Sequence, residues 1–235
     1  RAKASLHDDG SRVPLAIRWP KGIKMPGRVF NDPVNLSALA PTFLDAAGLA
    51  IPNMMTAKSL NDVLKDKPEA KRTAAFIAME RHDGCRKGGK GYPCRAIRTK
   101  DYMYILNHKP DRWPAGNPDR EFCARYIPFG EVDSSPTKSL LMDNKDKPGF
   151  KRFYDLAFAK RPAAELYHAT KDPGQLVNLA GKPEYAEIQR KLGAQLKQRL
   201  MSTKDPRALG LDAPWDYYPY YGAMRNKNWK VDPKP

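Results

Sequence analysis

Residues 94–107 constrain the topology of this chain more than any other stretch. Cys94 to Thr99 (CRAIRT) and Tyr102 to Asn107 (YMYILN) are two runs of strand length, separated only by Lys100 and Asp101. Two such runs joined by a two-residue turn read as an antiparallel hairpin. Side chains alternate along a strand, so Arg95 and Arg98, three apart, face opposite sides. At most one of them can enter a given pocket. Tyr102, Tyr104 and the apolar residues between them predict packing on both faces. Ala74 to Met79 (AAFIAM) and Ala164 to His168 supply two more strands, for an antiparallel sheet of about four. Tyr185, Ile188, Leu192, Leu196 and Leu200 recur at three- and four-residue spacing behind Pro183. That pattern predicts an amphipathic helix covering the sheet.

The first twenty residues read in two parts. Arg1 to Ser11 is polar and contains Gly10, the composition of a loop. Val13 to Trp19 (VPLAIRW), ended by Pro20, is a candidate buried strand with Pro14 near its start. A polar loop feeding a strand is a rigid mount for a functional side chain. Lys3 is the candidate, as a point-charge anchor for an oxyanion. Next, Leu36, Leu39, Phe43, Leu44 and Ala47 have helical spacing, with Ser37 as N-cap and Gly48 as C-cap. This helix is expected to lie against the sheet that holds Val13 to Trp19. A short helix is expected near Leu60 to Leu64.

A second cluster follows the Ala74–Met79 strand: Glu80, Arg81, His82, Asp83 and Gly84. Titratable groups at a strand end suit ligand contact. Gly84 to Gly91 (GCRKGGKG) lacks phosphate-loop spacing and reads as a flexible basic loop. Lys109 to Lys160 is a long irregular insertion, and such loops are usually functional or disordered. Its Trp113, Phe122, Tyr126 and Phe129 argue for order, with Trp113 read as a hydrophobic plug rather than a sugar platform. Phe150 to Phe158 is read as a short helix. The aromatic tail, Trp215 to Tyr221 with Trp229, is too apolar for water and should wrap the body or a partner chain.

The 235 residues carry 42 basic and 26 acidic side chains, a net charge of +16. Such a field favours anionic partners. The basic residues are scattered and no nucleic-acid motif appears, so nucleic acid ranks last. The apolar runs are too short to span a membrane. Three cysteines are too few for a disulfide framework. Cys85 with Cys94, leaving Cys123 odd, competes evenly with three free thiols, and no zinc-type spacing occurs.

Four segments together resemble the sulfatase family. Arg1 to Pro20 (RAKASLHDDGSRVPLAIRWP) is similar to its lysine, Leu-Tyr/His-Asp-x-Gly turn and R-V-P-L-x-x-R-W-P strand. Pro41 to Leu49, Arg95 to Tyr102, and Glu165 to Tyr167 with Lys171 to Ala180 resemble later family elements in the family's order. Asp111 to Gly116 and Ser135 to Lys138 resemble sulfatases similar to heparan N-sulfatase. The resemblance implies the C-terminal portion of an α/β, alkaline-phosphatase-like fold. Residues 1–72 would end the large domain. Residues 73–235 would form a smaller subdomain with the loop 109–160 and the aromatic tail 211–235. It implies hydrolysis of sulfate esters or sulfamates of a glycan by the intact protein, at a periplasmic, secreted or lysosomal location.

The family's C/S-x-P-x-R formylglycine motif is absent here, and its calcium-binding acids would lie outside this chain. The implied partners are therefore a sulfated saccharide or other sulfated small molecule, and the N-terminal part of the same protein. The chain alone is expected to be inactive. Lys3 matches the family's sulfate-contacting lysine. His82, Arg81, Asp83 and Arg95 are the candidate substrate-binding residues. The alternative is a non-catalytic basic module that binds sulfated glycan or a partner chain.

Overall fold

The computed structural model describes residues 3–68, 70–211 and 213–234. Its centre is a four-stranded antiparallel meander: β1 (Ala74–Met79), β2 (Cys94–Thr99), β3 (Tyr102–Asn107) and β4 (Ala164–His168), in the order β1-β2-β3-β4. The hairpin register pairs Ala96 with Ile105 and Ile97 with Tyr104, and β4 pairs Leu166 with Tyr104. The expected sheet, the Lys100–Asp101 turn and the covering helix are all present.

Alternation gives the sheet two apolar faces. Ile97, Tyr104 and Leu166 point to one, where Leu192, Leu196 and Leu200 of α6 (Ala186–Ser202) bury their side chains. Cys94, Ala96, Met103, Ile105 and Tyr167 point to the other. Leu6, just before the single turn α1 (Asp8–Ser11), packs there, beside Tyr92.

A satellite cluster lies N-terminal to the sheet. Ala38, before α2 (Leu39–Ala46), packs with Leu60 and with Val63 of α3 (Asn61–Leu64). The helix opens as a 3-10 turn over Leu36–Ala38, preceded by Asn35 rather than capped at Ser37. Gly48 has the expected left-handed backbone, φ +71°. Asn35 ties this cluster to the sheet edge. Its Nδ2 donates to the Phe76 carbonyl at 2.7 Å and its Oδ1 accepts from the Phe76 N–H at 2.9 Å. Asn35→Ala should therefore cost about 1–2 kcal/mol, since both edge groups of β1 lose their partner. That corresponds to a Tm lower by roughly 3–8 °C. An unchanged melting curve would show that water replaces the amide at no cost.

Four expectations are corrected. Val13 to Trp19 is not a strand, and Val13 and Leu15 stand 54% and 38% exposed. A strand needs a neighbour for its backbone hydrogen bonds, and among the described residues no strand of this chain runs beside it. Hence α2 has no such sheet to lie on, and its Phe43 is 65% exposed. Gly84 to Gly91 is not a flexible loop, because Gly84, Cys85, Arg86, Gly88 and Gly89 are buried. The insertion 109–160 is more regular than expected, holding α4 (Pro136–Asp143) and α5 (Pro148–Phe158). Ser135 caps α4, its Oγ accepting from Lys138 N–H at 3.1 Å, with Pro136 in the first turn.

Candidate functional site

Lys3 stands on a segment fastened to the sheet. Leu6 anchors it in the core. Asp8 accepts from both Nε and Nη2 of Arg98, each at 2.8 Å, and its N–H donates to Gln175 at 2.9 Å. A bidentate arginine–carboxylate pair fixes direction as well as distance. Ala4 then takes a left-handed backbone, φ 59°. Lys3 Nζ lies 3.0 Å from Asp133 Oδ2, with the two side chains 62% and 72% exposed. This hydrogen bond and the lysine charge hold the Asp133 carboxyl below its usual range. Arg1, which begins the loop expected from sequence, lies outside the described residues.

Glu131, two residues before Asp133, connects this group to the second cluster. Its carboxylate is buried; Oε1 accepts from Arg86 Nη1 at 2.9 Å and Oε2 lies 2.5 Å from His82 Nδ1. A carboxylate paired with arginine only accepts, so Nδ1 carries the hydrogen and Nε2 is the nitrogen left for a ligand. The His82 side chain is 41% exposed, which leaves room for one. Segment 131–133 thus brings Lys3 and His82 to one place.

Backbone bonds hold that segment: Glu131 N–H to Ala115 O at 3.1 Å and Phe129 N–H to Asn117 O at 2.8 Å. From below, the buried Lys138 Nζ donates to the carbonyls of Phe129 and Val132 at 3.0 and 2.7 Å. Burial pushes the pKa of this lysine down. Arg86 completes the frame, donating to the carbonyls of Trp113 and Pro114, each at 2.7 Å. Trp113 meets Phe129 edge-on at 6.0 Å, consistent with a plug.

The other three candidates sit elsewhere. Arg81 donates to the carbonyls of Gly89, Tyr218 and Pro219. Asp83 is buried, accepting from Gly84 N–H and from the Tyr220 hydroxyl. Both therefore tether the aromatic tail, whose Trp229 is 4% exposed. Arg95 points to the α6 side of the sheet, opposite Cys94. It is 2% exposed, and all three guanidinium nitrogens are engaged by Asp205, Glu80 and backbone carbonyls. The structure groups it with a structural ion network, not with Lys3 and His82.

A cavity of about 70 Å³ opens beside Lys3, lined also by His7, Tyr92, Asn107, Glu131 and Glu165. Glu165 accepts from Tyr167 and Asn107 at 2.5 and 2.9 Å. Sequence reasoning singled out none of these lining residues except Lys3, nor Asp133. Among the described residues no three His, Cys, Asp or Glu side chains gather as a metal site. No helix among the described residues is long and apolar enough to cross a membrane.

Known proteins are similar to this chain in sequence. Residues 2–114, the stretch containing Lys3, His82 and Arg86, match the family model described as N-sulphoglucosamine sulphohydrolase, C-terminal. The chain is a relative of the C-terminal region of sulfatases. An ulvan-active sulfatase of Formosa agariphila is 27% identical over 190 residues, covering 81% of this chain and 33% of that protein. The human N-sulphoglucosamine sulphohydrolase is 26% identical over 217 residues, covering 87% of this chain and 39% of that protein. A structure solved with its substrate D-glucosamine-2-N,6-O-disulfate aligns with a TM-score of 0.42 and 22% identity, over 72% of this chain and 25% of that one. The chain thus spans about a third of the length of the curated relatives it matches.

Proposed function

We propose that this chain forms one wall of a sulfatase site, and that the intact protein hydrolyses a sulfate ester or sulfamate on a saccharide. The observation that carries the reading is the meeting of Lys3 and His82 across Glu131 and Asp133. In S–O or S–N cleavage, negative charge grows on the sulfuryl oxygens and the leaving atom. The Lys3 ammonium is suited to balance that charge. Its pair with Asp133 is exposed, so exchanging the carboxylate for a sulfate costs on the order of 0.2–1 kcal/mol. His82, oriented by Glu131, would offer Nε2 to the sugar.

The attacking nucleophile, formylglycine by family resemblance, and the calcium would come from residues outside this chain. The N-terminal region supports that division. Val13, Val29, Leu36, Phe43, Leu49 and Met54 are each more than half exposed, an apolar surface that a further part of the protein would cover. The relatives named for N-sulphoglucosamine and for ulvan support a saccharide substrate. A periplasmic, secreted or lysosomal location belongs to the same reading.

The test is His82→Ala in the complete enzyme, assayed on a sulfated saccharide and on a small aryl sulfate. The saccharide loses a hydrogen bond worth about 1–3 kcal/mol, so its kcat/KM should fall tenfold or more while the aryl sulfate changes little. Equal losses would place His82 in the chemistry itself. No loss on either would remove it from the site.

A further inference from the structure

Two glycines make room for a pair of thiols behind this site. The backbone bonds between 115–117 and 129–131 set Gly116 opposite Gly130. A Cβ built on Gly116 would stand 2.8 Å from Cys85 Sγ. A Cβ built on Gly130 would stand 2.7 Å from Cys85 Cβ and 2.9 Å from Cys123 Sγ. The two cysteines therefore crowd one point, and only the absence of a side chain on Gly130 leaves them the space. The backbone brings them there as well: Ala124 N–H donates to Gly84 O at 2.7 Å, laying Cys123 beside Cys85. Cys85 and Cys123 are 0% and 1% exposed, and all three cysteines stand as free thiols. Cys94 belongs to a different cluster, with Tyr92, Ala96 and Met103.

We propose that Cys85 and Cys123 close a disulfide when the protein folds in an oxidising compartment. The oxidant is a disulfide of a thiol oxidoreductase or oxidised glutathione. One cysteine thiolate attacks it, giving a mixed disulfide and releasing one thiol. The second thiolate then displaces the remaining oxidant sulfur, leaving the Cys85–Cys123 bond. Two electrons and two protons pass to the oxidant, which ends as two thiols. Burial fixes the timing: both sulfurs are out of reach once the loops have packed, so exchange occurs during folding. Burial also pushes the Cys85 thiol well above its ordinary range, which makes it inert afterwards. Cys85 Cβ and Cys123 Sγ both lie within 3 Å of the one point where a Gly130 Cβ would stand, which keeps the two side chains within reach of each other.

The bond would act on the site already described. Cys85 precedes Arg86, and Gly130, against which both cysteines pack, precedes Glu131. A covalent tie here fixes the two sides of the Arg86–Glu131 pair that orients His82.

The experiment takes the complete protein exported to the bacterial periplasm, unfolds it in N-ethylmaleimide without reductant, and maps the digest by mass spectrometry. The expected result is one linked pair of peptides carrying Cys85 and Cys123, lighter by two hydrogens than the separate thiol peptides and split by reductant. Alkylated Cys85 and Cys123, or either one joined to a different cysteine, would overturn the proposal. Neither result depends on whether the protein cleaves sulfate.

Discussion

Lys3→Ala, made in the complete enzyme, should slow sulfate hydrolysis by a factor of roughly one hundred or more and leave Tm unchanged. Removing one charged contact to a transition-state oxygen costs on the order of 3 kcal/mol, which sets that factor. The fold has little stake in this side chain. Lys3 Nζ is exposed, and its ion pair with Asp133 lies in water on both sides. Pairs of that kind contribute about 0.2–1 kcal/mol. The segment is held instead by Leu6 in the core and by Asp8 on Arg98. Single-turnover rates and thermal melts of the variant separate the two roles. A normal rate with a lowered melting temperature would make Lys3 a structural residue and remove the central support from the proposed site.

The sheet was legible because local patterns determine it. Alternation in β2 and β3, a two-residue turn between them and a leucine repeat in α6 each act within a few residues. The Val13–Trp19 run misled for the opposite reason. An apolar run states a preference, but a strand also needs a neighbour, and sequence does not say whether the chain supplies one. The candidate site was half legible. Lys3 and His82 were singled out as candidates by resemblance and by position at a strand end. Glu131 and Asp133, which join them, sit in a loop with no periodicity. Their signals were present but indirect: Gly116 and Gly130, which permit close backbone pairing, and Ser135-Pro136, which starts α4. Arg81 and Asp83 flank His82 in sequence and share its polarity. Only the fold reveals that their partners are Tyr218, Pro219 and Tyr220, more than a hundred residues away. Arg86, in a glycine-rich stretch, looked mobile until its buried partner Glu131 was known.

Arg95→Met should give the largest loss of stability, about 3–5 kcal/mol, because it leaves buried charge without its partner. For a chain of this size that lowers Tm by roughly 10 °C. Arg95 lies between two carboxylates, 2.6 Å from Glu80 and 2.7 Å from Asp205. Arg207 bridges onward from Glu80 to Asp216, which also holds Arg112. The network ties β2 to the end of α6 and to the tail. Methionine matches the stem and removes the charge, so Glu80 keeps Arg207 while Asp205 loses its guanidinium. Acid provides the second readout. Burial works against the Asp205 carboxylate, but the Arg95 hydrogen bonds and charge, with backbone bonds from Arg207 and Ala208, outweigh it. They hold its pKa below the ordinary 3.8. A depressed folded pKa contributes stability that is complete above the unfolded value and is lost as pH falls through the folded one. The Tm gap between wild type and Arg95→Met should therefore be full at pH 7 and narrow below about pH 4. Were Arg95 a substrate ligand instead, the variant would raise KM at an unchanged Tm, with no such narrowing in acid.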